Sequence, residues 1–420
     1  MKTYRIIGIM TGNSMDAIDL VLSEFNGAQI KDICAFSKPF SKKMQQKTAN
    51  LRLKVKNKNK AEILRLPEFK AIHDEYVKSV ANAVLEMCAF YHLDKADIDA
   101  IGFHGKTLDH NPPSKAFKEG SQPYTLQIGS GKMLADLTGI KVVYDFRSAF
   151  ILQGFEGAPL IAPHNARIAL IEGDGIYYNA GNTSNFALIK NAQALLSADA
   201  GPCNEYIDSF IRKKTDDSCD FDAKYGKNGK LDKKLLMRLF DLDRDYYEAG
   251  LPKSGDPQYY HLSDVLEAIE QSDACFEDAV FTLEYLAAYT AAFALTLIEE
   301  RFDLPSNIVL FGGGWKNPIV RESFENLLVF QGYVLPEHQS RFEVLRRRLK
   351  QRPAIKYSAF GQMMEARLMA DMAYFKLMGM PWKLPEVKTI IAGRIANPQN
   401  GAYDDMLSLA AKTEILEKYH

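Results

Sequence analysis

Long apolar runs and small-residue turns alternate along the chain. Arg5-Ile6-Ile7-Gly8-Ile9-Met10 has the length and composition of a buried strand. Residues 11–16 form a small, polar turn, and Ala17-Ile18-Asp19-Leu20-Val21-Leu22 reads as the return strand. The same pattern recurs at 176–180, 181–184 and 185–189. Two hairpins of one design predict a structural repeat, one hairpin per domain. Between them, Ile72, Tyr76, Val80, Ala83, Val84 and Met87 fall on one stripe and predict a helix over 72–91. Strands are expected at 97–105, 125–129 and 141–145, with a helix over 132–138. Such alternation indicates α/β architecture. Further on, the pattern predicts an amphipathic helix over 204–213, a long helix over 277–301 and a buried strand over 307–311 that runs into three glycines. A second long helix is expected over 361–377. Residues 41–60 are polar and basic and read as a solvated face or exposed loop. Residues 392–403 read as loose structure and 404–418 as a closing helix.

Composition narrows the function class. A chain of 420 residues predicts two or three domains. With 52 Lys+Arg against 53 Asp+Glu, no global charge draws it to nucleic acid or to an anionic membrane. Arg346-Arg347-Arg348 is the compact basic cluster of the second half, expected on an exposed helix face or end. Five widely spaced cysteines without a C-x-x-C pair suggest reduced thiols in a cytoplasm. The apolar run at 6–10 is too short for a signal-peptide core. The run at 285–298, bounded by Glu284 and Glu299, is too short to span a bilayer and reads as a core helix.

Three glycine-bearing turns follow apolar strands, at 11–16, 181–185 and 312–317. Backbone N–H groups in such turns can cradle phosphate, and three in one chain are far more specific than one. The chain has no G-x-x-x-x-G-K-[ST] and no G-x-G-x-x-G after a strand with a downstream acid, so neither a P-loop nor a Rossmann site is supported.

Two hairpin phosphate loops and a nucleoside-side glycine turn resemble the superfamily of actin, sugar kinases and heat-shock ATPases. Within it, residues 8–19, Gly-Ile-Met-Thr-Gly-Asn-Ser-Met-Asp-Ala-Ile-Asp, resemble the G-x-M-S-G-T-S-M-D-G-x-D opening of the anhydro-N-acetylmuramic acid kinase family. Gly102 to Thr107 resembles its G-S-H-G-Q-T, and 125–129 its T-L-Q-I-G. Asp145-Phe146-Arg147 is similar to D-F-R, and 157–160 to G-A-P-L. Residues 179–185 resemble N-x-G-G-x-x-N, and 199–204 resemble D-T-G-P-G-N with Asp208 trailing. Pro252-Lys253-Ser254 matches P-K-S, 312–318 matches G-G-G-x-x-N-P, and Glu365-Ala366 and Leu384-Pro385 close a collinear series over roughly 5–390.

The resemblance implies two ribonuclease-H-like, actin-like ATPase domains flanking a nucleotide cleft. One would span 1–125, completed by 371–420, and the other 126–370. It implies a kinase that opens 1,6-anhydro-N-acetylmuramic acid with water and phosphorylates O6, using ATP and Mg²⁺, in peptidoglycan recycling. Asp199 would be the catalytic base. Gly12, Asn13, Ser14, Asp16, Gly181, Asn182, Thr183, Gly312, Gly313 and Gly314 would hold the nucleotide, with Asp16 on the metal. His104, Gln127, Asp145, Arg147 and Glu365 would contact the sugar. The partner expected is a small-molecule amino sugar, with no nucleic acid and no membrane, and a homodimer is left open.

Without the resemblance, Asp199 is better explained as the N-cap of a helix opening near Pro202. Asp16 then reads as a turn residue, and Asp145 with Arg147 as an ion pair. His104 reads equally as a core histidine or a substrate contact. Departures from the family pattern are Asn13, Ala17, Asn182, Ala200 and Cys203 in the loops. Ser130, Phe150, Phe155 and Glu156 depart in segments expected to line the sugar pocket. A kinase for a different amino sugar, or a nucleotide- or sugar-binding module without turnover, therefore stands beside the main reading.

Overall fold

The computed structural model describes the chain apart from residues 1, 13–14, 57, 114–115, 117–120, 254–260, 330, 350–352, 386–389, 400, 402 and 411–420. The chain divides into two compact units, Met1–His164 with Met363–His420, and Asn165–Gln362. In the first lie β1 (Tyr4–Thr11), β2 (Ala17–Asn26), β3 (Gln29–Pro39), β4 (Ala100–Phe103), β5 (Lys106–Asn111), β6 (Tyr124–Ile128) and β7 (Val142–Tyr144). The second holds β8 (Gly175–Ala180), β9 (Thr183–Lys190), β10 (Gln193–Pro202), β11 (Asn307–Phe311) and β12 (Ala354–Tyr357). The chain then returns to the first unit with β13 (Arg394–Ala396) and β14 (Leu407–Ala410).

The two main sheets repeat one design. The first runs β13-β7-β4-β1-β2-β3 and the second β10-β9-β8-β11-β12. In each, three strands form an antiparallel meander (β1-β2-β3, β8-β9-β10), and two more add in parallel beside the first strand (β4 and β7, β11 and β12). The expected ribonuclease-H-like α/β repeat is thus present as an identical order and sense of five strands. The sequence pattern had shown only the first two strands of each meander. A small antiparallel sheet, β14-β6-β5, belongs to the first unit.

The central strands β1 and β4 are buried on both faces, with Ile6, Ile7, Ile9, Ala100 and Ile101 all excluded from solvent. Each such Ile contributes at most about 1.5–3 kcal/mol. The helix Met364–Leu377 lies against these strands. Gly8 and Gly102 permit it: a Cβ would come within 1.8 Å of Ala366 O at Gly8 and 2.1 Å of Met369 O at Gly102. Helix Phe69–Phe90 buries the predicted stripe, Ile72 to Met87. In the second unit, helix Phe276–Thr296 is apolar all round and is the core helix the pattern predicted. At 21 residues it is longer than the apolar run and long enough to cross a membrane by length and composition alone, and 89% of its most apolar window is buried.

Several expectations change. Of the two readings of 41–60, the solvated face holds over 42–55 and the loop does not: these residues form a helix, because Met44, Thr48, Leu51 and Val55 recur at helical spacing between the lysines and are buried. Ser41 caps it, its side chain accepting from Met44 N. In place of a closing helix, residues 407–410 form β14, antiparallel to β6 from Leu407↔Ile128 to Ala410↔Thr125. The rest of that expected helix, 411–418, lies outside the described residues. The loose segment 392–403 contains β13, which covers the edge of β7. Residues 126–164, placed in the second domain by the sequence reading, lie in the first unit, where β6 pairs with β5 and β7 with β4. Arg348 is not simply exposed: it donates to the carbonyls of Ile298, Glu299 and Phe302 just past the core helix.

Candidate functional site

In the first unit the β1–β2 register ends at Thr11↔Ile18, which fixes the turn at 12–16. Thr11 Oγ1 lies 2.9 Å from Tyr76 Oη, tying the strand end to helix Phe69–Phe90. Met15 N donates to Gly12 O at 3.2 Å, and Met15 adopts φ +57°. Left-handed backbone at a bulky side chain costs on the order of 1–3 kcal/mol and collects at functional turns. Asp16 stands exposed at the end of this turn. Asn13 and Ser14, assigned to the same loop, lie outside the described residues.

Two of the five expected sugar-side residues meet directly. His104 Nδ1 is 2.9 Å from Gly105 O, and His104 Nε2 accepts from Arg147 Nε at 2.9 Å. Burial, reinforced by Arg147, pushes the imidazole down to about 3. His104 is therefore a neutral Nδ1–H tautomer with both nitrogens engaged, and it orients the guanidinium. Arg147 Nη1 also donates to Gly157 O at 3.1 Å, within the segment matched to G-A-P-L. Glu365, in the first turn of helix Met364–Leu377, is accessible to solvent. The protein mass around it raises its pKa, with Asp19 adding to the effect and Arg147 opposing it.

Asp145 and Gln127 make other contacts. Asp145, at φ +56°, accepts from Ser148 Oγ at 2.5 Å and lies 3.9 Å from Arg394 Nη1, so its described partners do not include Arg147. Burial raises its pKa. Gln127 Nε2 donates to Thr107 Oγ1 at 3.3 Å, and its buried Oε1 has no partner among the described residues.

In the second unit the predicted residues converge. The Gly181–Thr183 turn lies over the start of helix Asn204–Lys214. Gly181 O accepts from Asn204 N at 3.1 Å, and Asn182 O accepts from Cys203 N at 2.8 Å and Glu205 N at 3.3 Å. The third turn packs on the same hairpin. Gly312 has φ +96°, and a Cβ there would sit 2.4 Å from both Ala180 O and Asn179 Oδ1. A Cβ on Gly314 would come within 2.9 Å of Ala180 Cβ, Asn204 Oδ1 and Cys203 Sγ, whereas Gly313 meets nothing within 4 Å and presents an open face. Behind this turn Asn317 caps helix Pro318–Leu328, accepting from Ile319 N and Val320 N.

Asp199 lies in β10 opposite Asn185, at a bulge before Gly201, and is buried. Its position excludes the capping role: the N-cap of helix Asn204–Lys214 is Cys203, which makes no side-chain cap bond. Asp199 N donates to Lys253 O at 2.8 Å. Lys253 Nζ donates to the carbonyls of Tyr246 at 2.8 Å and Tyr247 at 2.7 Å. Burial pushes this amine down to about 7, and Asp199 opposes the shift. Ser254, the last residue of that motif, lies outside the described residues.

The motif reading named Lys253 without giving it a role, although a lysine after a proline in a matched motif was a usable signal. It missed Asp405 altogether. Ser130, which replaces the family's acid, caps helix Gly131–Thr138 and donates to the Asp405 carboxylate, which also accepts from Lys132 N at 3.0 Å. A carboxylate thus returns to this helix N-terminus from the C-terminal segment, and nothing local in the sequence pairs the two.

A family model described as anhydro-N-acetylmuramic acid kinase matches residues 4–392. The anhydro-N-acetylmuramic acid kinases of Vibrio vulnificus strains CMCP6 and YJ016 are each 28% identical over 393 residues, covering 92% of this chain and 96% of their own. Among solved structures, the activator of the 2-hydroxyisocaproyl-CoA dehydratase from Clostridium difficile with bound ADPNP is 12% identical, covers 90% of this chain and 98% of its own, and has a TM-score of 0.42. A ROK family glucokinase from Streptomyces griseus in complex with glucose and AMPPNP is 15% identical, covers 88% and 98%, and has a TM-score of 0.31. These scores are too low to bear on function.

Proposed function

The chain belongs to the anhydro-N-acetylmuramic acid kinase family, and on that premise we propose that it hydrolyses the 1,6-anhydro bridge of anhydro-N-acetylmuramic acid and transfers the γ-phosphoryl of ATP to the freed O6. The product is N-acetylmuramic acid 6-phosphate, an intermediate of peptidoglycan recycling. The observation that carries the chemistry is a buried carboxylate, Asp199, on a strand bulge where the 199–204 motif runs into a helix start.

Asp199 takes a proton from the water that attacks the anomeric carbon. The C1–O6 bond breaks, O6 attacks the γ-phosphorus, and the bond to the β-phosphate oxygen breaks to release ADP. Lys253, whose carbonyl holds the Asp199 N–H and whose amine interacts with its carboxylate, keeps that base ionised and in place. Gly181, Asn182 and Thr183 serve the phosphates. Gly313, with open space at its Cα, admits the nucleoside side between the tightly packed Gly312 and Gly314.

In the first unit, Gly12 and Asp16 hold the phosphate and metal side. The described residues contain no cluster of three His, Cys, Asp or Glu. Mg²⁺ carried on a nucleotide needs only one or two carboxylates from the protein. Asp16, exposed on the turn, is that carboxylate. When bound, Mg²⁺ neutralises charge on the β- and γ-phosphates. Arg147, aimed by neutral His104, Glu365 and the buried Gln127 Oε1 supply the polar contacts to the sugar. Asp145, bonded to Ser148, shapes the turn that carries Arg147. All five cysteines are free, in keeping with a cytoplasmic reaction.

The test is a coupled ADP-release assay with anhydro-N-acetylmuramic acid, N-acetylmuramic acid and N-acetylglucosamine. Sugar-dependent ADP release with the anhydro sugar, together with a 6-phosphate product carrying one oxygen from labelled water, is the expected result. Turnover of only the open sugars would transfer the assignment to another amino-sugar kinase.

A further inference from the structure

Glu284 sits inside the apolar core helix Phe276–Thr296, is fully buried, and belongs to none of the motifs that carry the resemblance. A buried carboxyl is costly unless it is neutral and bonded. Its surroundings meet both conditions. Asn317 Nδ2 donates to Glu284 Oε1 at 2.5 Å. Gly226 confines the other oxygen, since a Cβ there would come within 2.0 Å of Glu284 Oε2. Asp220 acts on the group as well, and its own oxygens are taken, one accepting from Tyr225 N and the other from Gly226 N, each at 2.9 Å. Burial, with Asp220 adding and Asn317 opposing, pushes Glu284 up to about 9, so the acid is neutral at physiological pH. Asn317 works from both ends of its amide. Its Oδ1 accepts from Ile319 N at 3.0 Å and Val320 N at 3.2 Å, capping helix Pro318–Leu328. Its backbone N–H donates to Gly314 O at 3.1 Å, and Lys316 N donates to Gly313 O at 3.0 Å, so Asn317 closes the turn that carries the open face of Gly313. An amide turned end for end would set its NH₂ against the two helix N–H groups. The acceptor on Glu284 selects the other orientation and ties the turn to the core helix.

We infer that Glu284 is a positioning residue for nucleotide binding: from the core helix it holds the Asn317 amide, and through it the 312–317 turn, in the shape that admits the nucleoside. The inference rests on the reading of that turn as the nucleoside side. Glutamine is the near-isostere of the neutral acid and keeps an oxygen for Asn317 Nδ2. Methionine fills a similar volume without that acceptor. At position 317, serine remains an adequate N-cap but lacks the amide that reaches Glu284.

The experiment is calorimetric titration of the full chain with ATP and AMP in the presence of Mg²⁺, with melting temperature as the control on folding. The proteins are wild type, Glu284→Gln, Glu284→Met, Asn317→Ser and the double variant Glu284→Met/Asn317→Ser. Glu284→Met and Asn317→Ser should each weaken ATP and AMP by the same factor, about three- to tenfold, the worth of one neutral hydrogen bond. A common factor is expected because the two nucleotides share the nucleoside. Glu284→Gln should bind both like wild type. The double variant should lose no more than the weaker-binding single variant, because both substitutions break one bond. Losses in Glu284→Gln equal to those in Glu284→Met, or losses that add in the double variant, would assign the effect to packing and overturn the proposal. Should Glu284→Met fail to fold, wild-type nucleotide affinity in Asn317→Ser would overturn it alone. If Glu284→Met and Asn317→Ser both bind like wild type while Gly313→Ala binds ATP more weakly, Glu284 has no such role and the reading of the turn stands. If Gly313→Ala also binds ATP like wild type, the reading of the turn and the proposal fall together.

Discussion

Asp199→Asn separates catalysis from structure at the residue on which the mechanism turns. Asparagine has nearly the same volume, and the Asp199 N–H to Lys253 O bond at 2.8 Å belongs to the backbone, so the bulge and the Lys253 loop are retained. What is lost is the ability to accept a proton. A positioned general base contributes roughly 10²–10⁴ in rate, about 2.7–5.5 kcal/mol of barrier. A secondary effect falls on Lys253: without the carboxylate that opposes its shift, its amine drops further below about 7. That change neutralises a buried cation and leaves the fold near its original stability. The assay measures turnover by ADP release, ATP affinity by calorimetry and melting temperature for Asp199→Asn and Asp199→Ala. Turnover should fall by the stated range in both, with ATP affinity nearly unchanged. Since the N-cap position of that helix belongs to Cys203 and not to Asp199, neither variant should melt as a helix-cap loss would. Turnover of Asp199→Asn within tenfold of wild type would refute the base assignment.

Lys253→Met should move the acidic limb of the kcat/KM pH profile upward by ~1 unit, because a nearby cation favours an ionised carboxylate and its loss raises the pKa; an unmoved limb would leave Lys253 a packing residue. Gly312→Ala should destabilise by at least about 1–3 kcal/mol, since φ is +96° and the new Cβ would meet Ala180 O at 2.4 Å. Gly313→Ala should melt like wild type but raise the KM for ATP about tenfold, the equivalent of about 1.4 kcal/mol of lost nucleotide contact, and equal melting losses at both glycines would contradict the open-face reading. Glu284, buried inside the core helix, is pushed up to about 9 by burial, with Asn317 opposing and Asp220 adding. Its folded pKa lies above the ordinary 4.5, so its contribution to stability is complete below pH 4.5 and is lost as pH rises toward 9. Glu284→Gln should therefore flatten the fall in melting temperature between pH 6 and 9, and an unchanged slope would show that the proton is not held there.

The two hairpins were legible because their strands are buried on both faces and interrupted only by small residues, a pattern that survives without tertiary context. The third strands were not. β3, with Ile33 exposed and lysines at 31 and 38, is an edge whose exposed and half-buried residues blur the alternation, and β10 ends in a bulge at Asp199 that breaks the period. The 42–55 helix was hidden by its lysines, since four buried positions in fourteen leave the mean character polar. β14 exists only because β6 offers it an edge, a long-range pairing that no local pattern encodes. The site divides in the same way. Asp199 was singled out only through the family resemblance and the glycine turns also through their place after apolar strands, whereas the His104–Arg147 bond spans 43 positions and the Ser130–Asp405 bond 275, and contacts of that range are made by the fold.

The duplicated sheet also bears on where the proposed base lies. The third residue of the second strand is Asp19 in β2 and Asn185 in β9, and their cross-strand partners are Ser37 in β3 and Asp199 in β10. The acid therefore sits on opposite members of equivalent strand pairs. In the first unit Asp19 is already engaged, accepting from Ser37 Oγ at 2.7 Å, and its charge acts on Glu365. In the second, the acid lies on the strand that leads into helix Asn204–Lys214, beside the carbonyl of Lys253. Asp19, bonded to a serine hydroxyl, is read as fixing local charge, whereas Asp199, across from an asparagine and with the Lys253 amine acting on it, is the carboxylate proposed to exchange a proton. Exchanging the cross-strand pair in the first unit should thus leave turnover far less affected than Asp199→Asn does, because the same topology carries a different load on each side of the repeat.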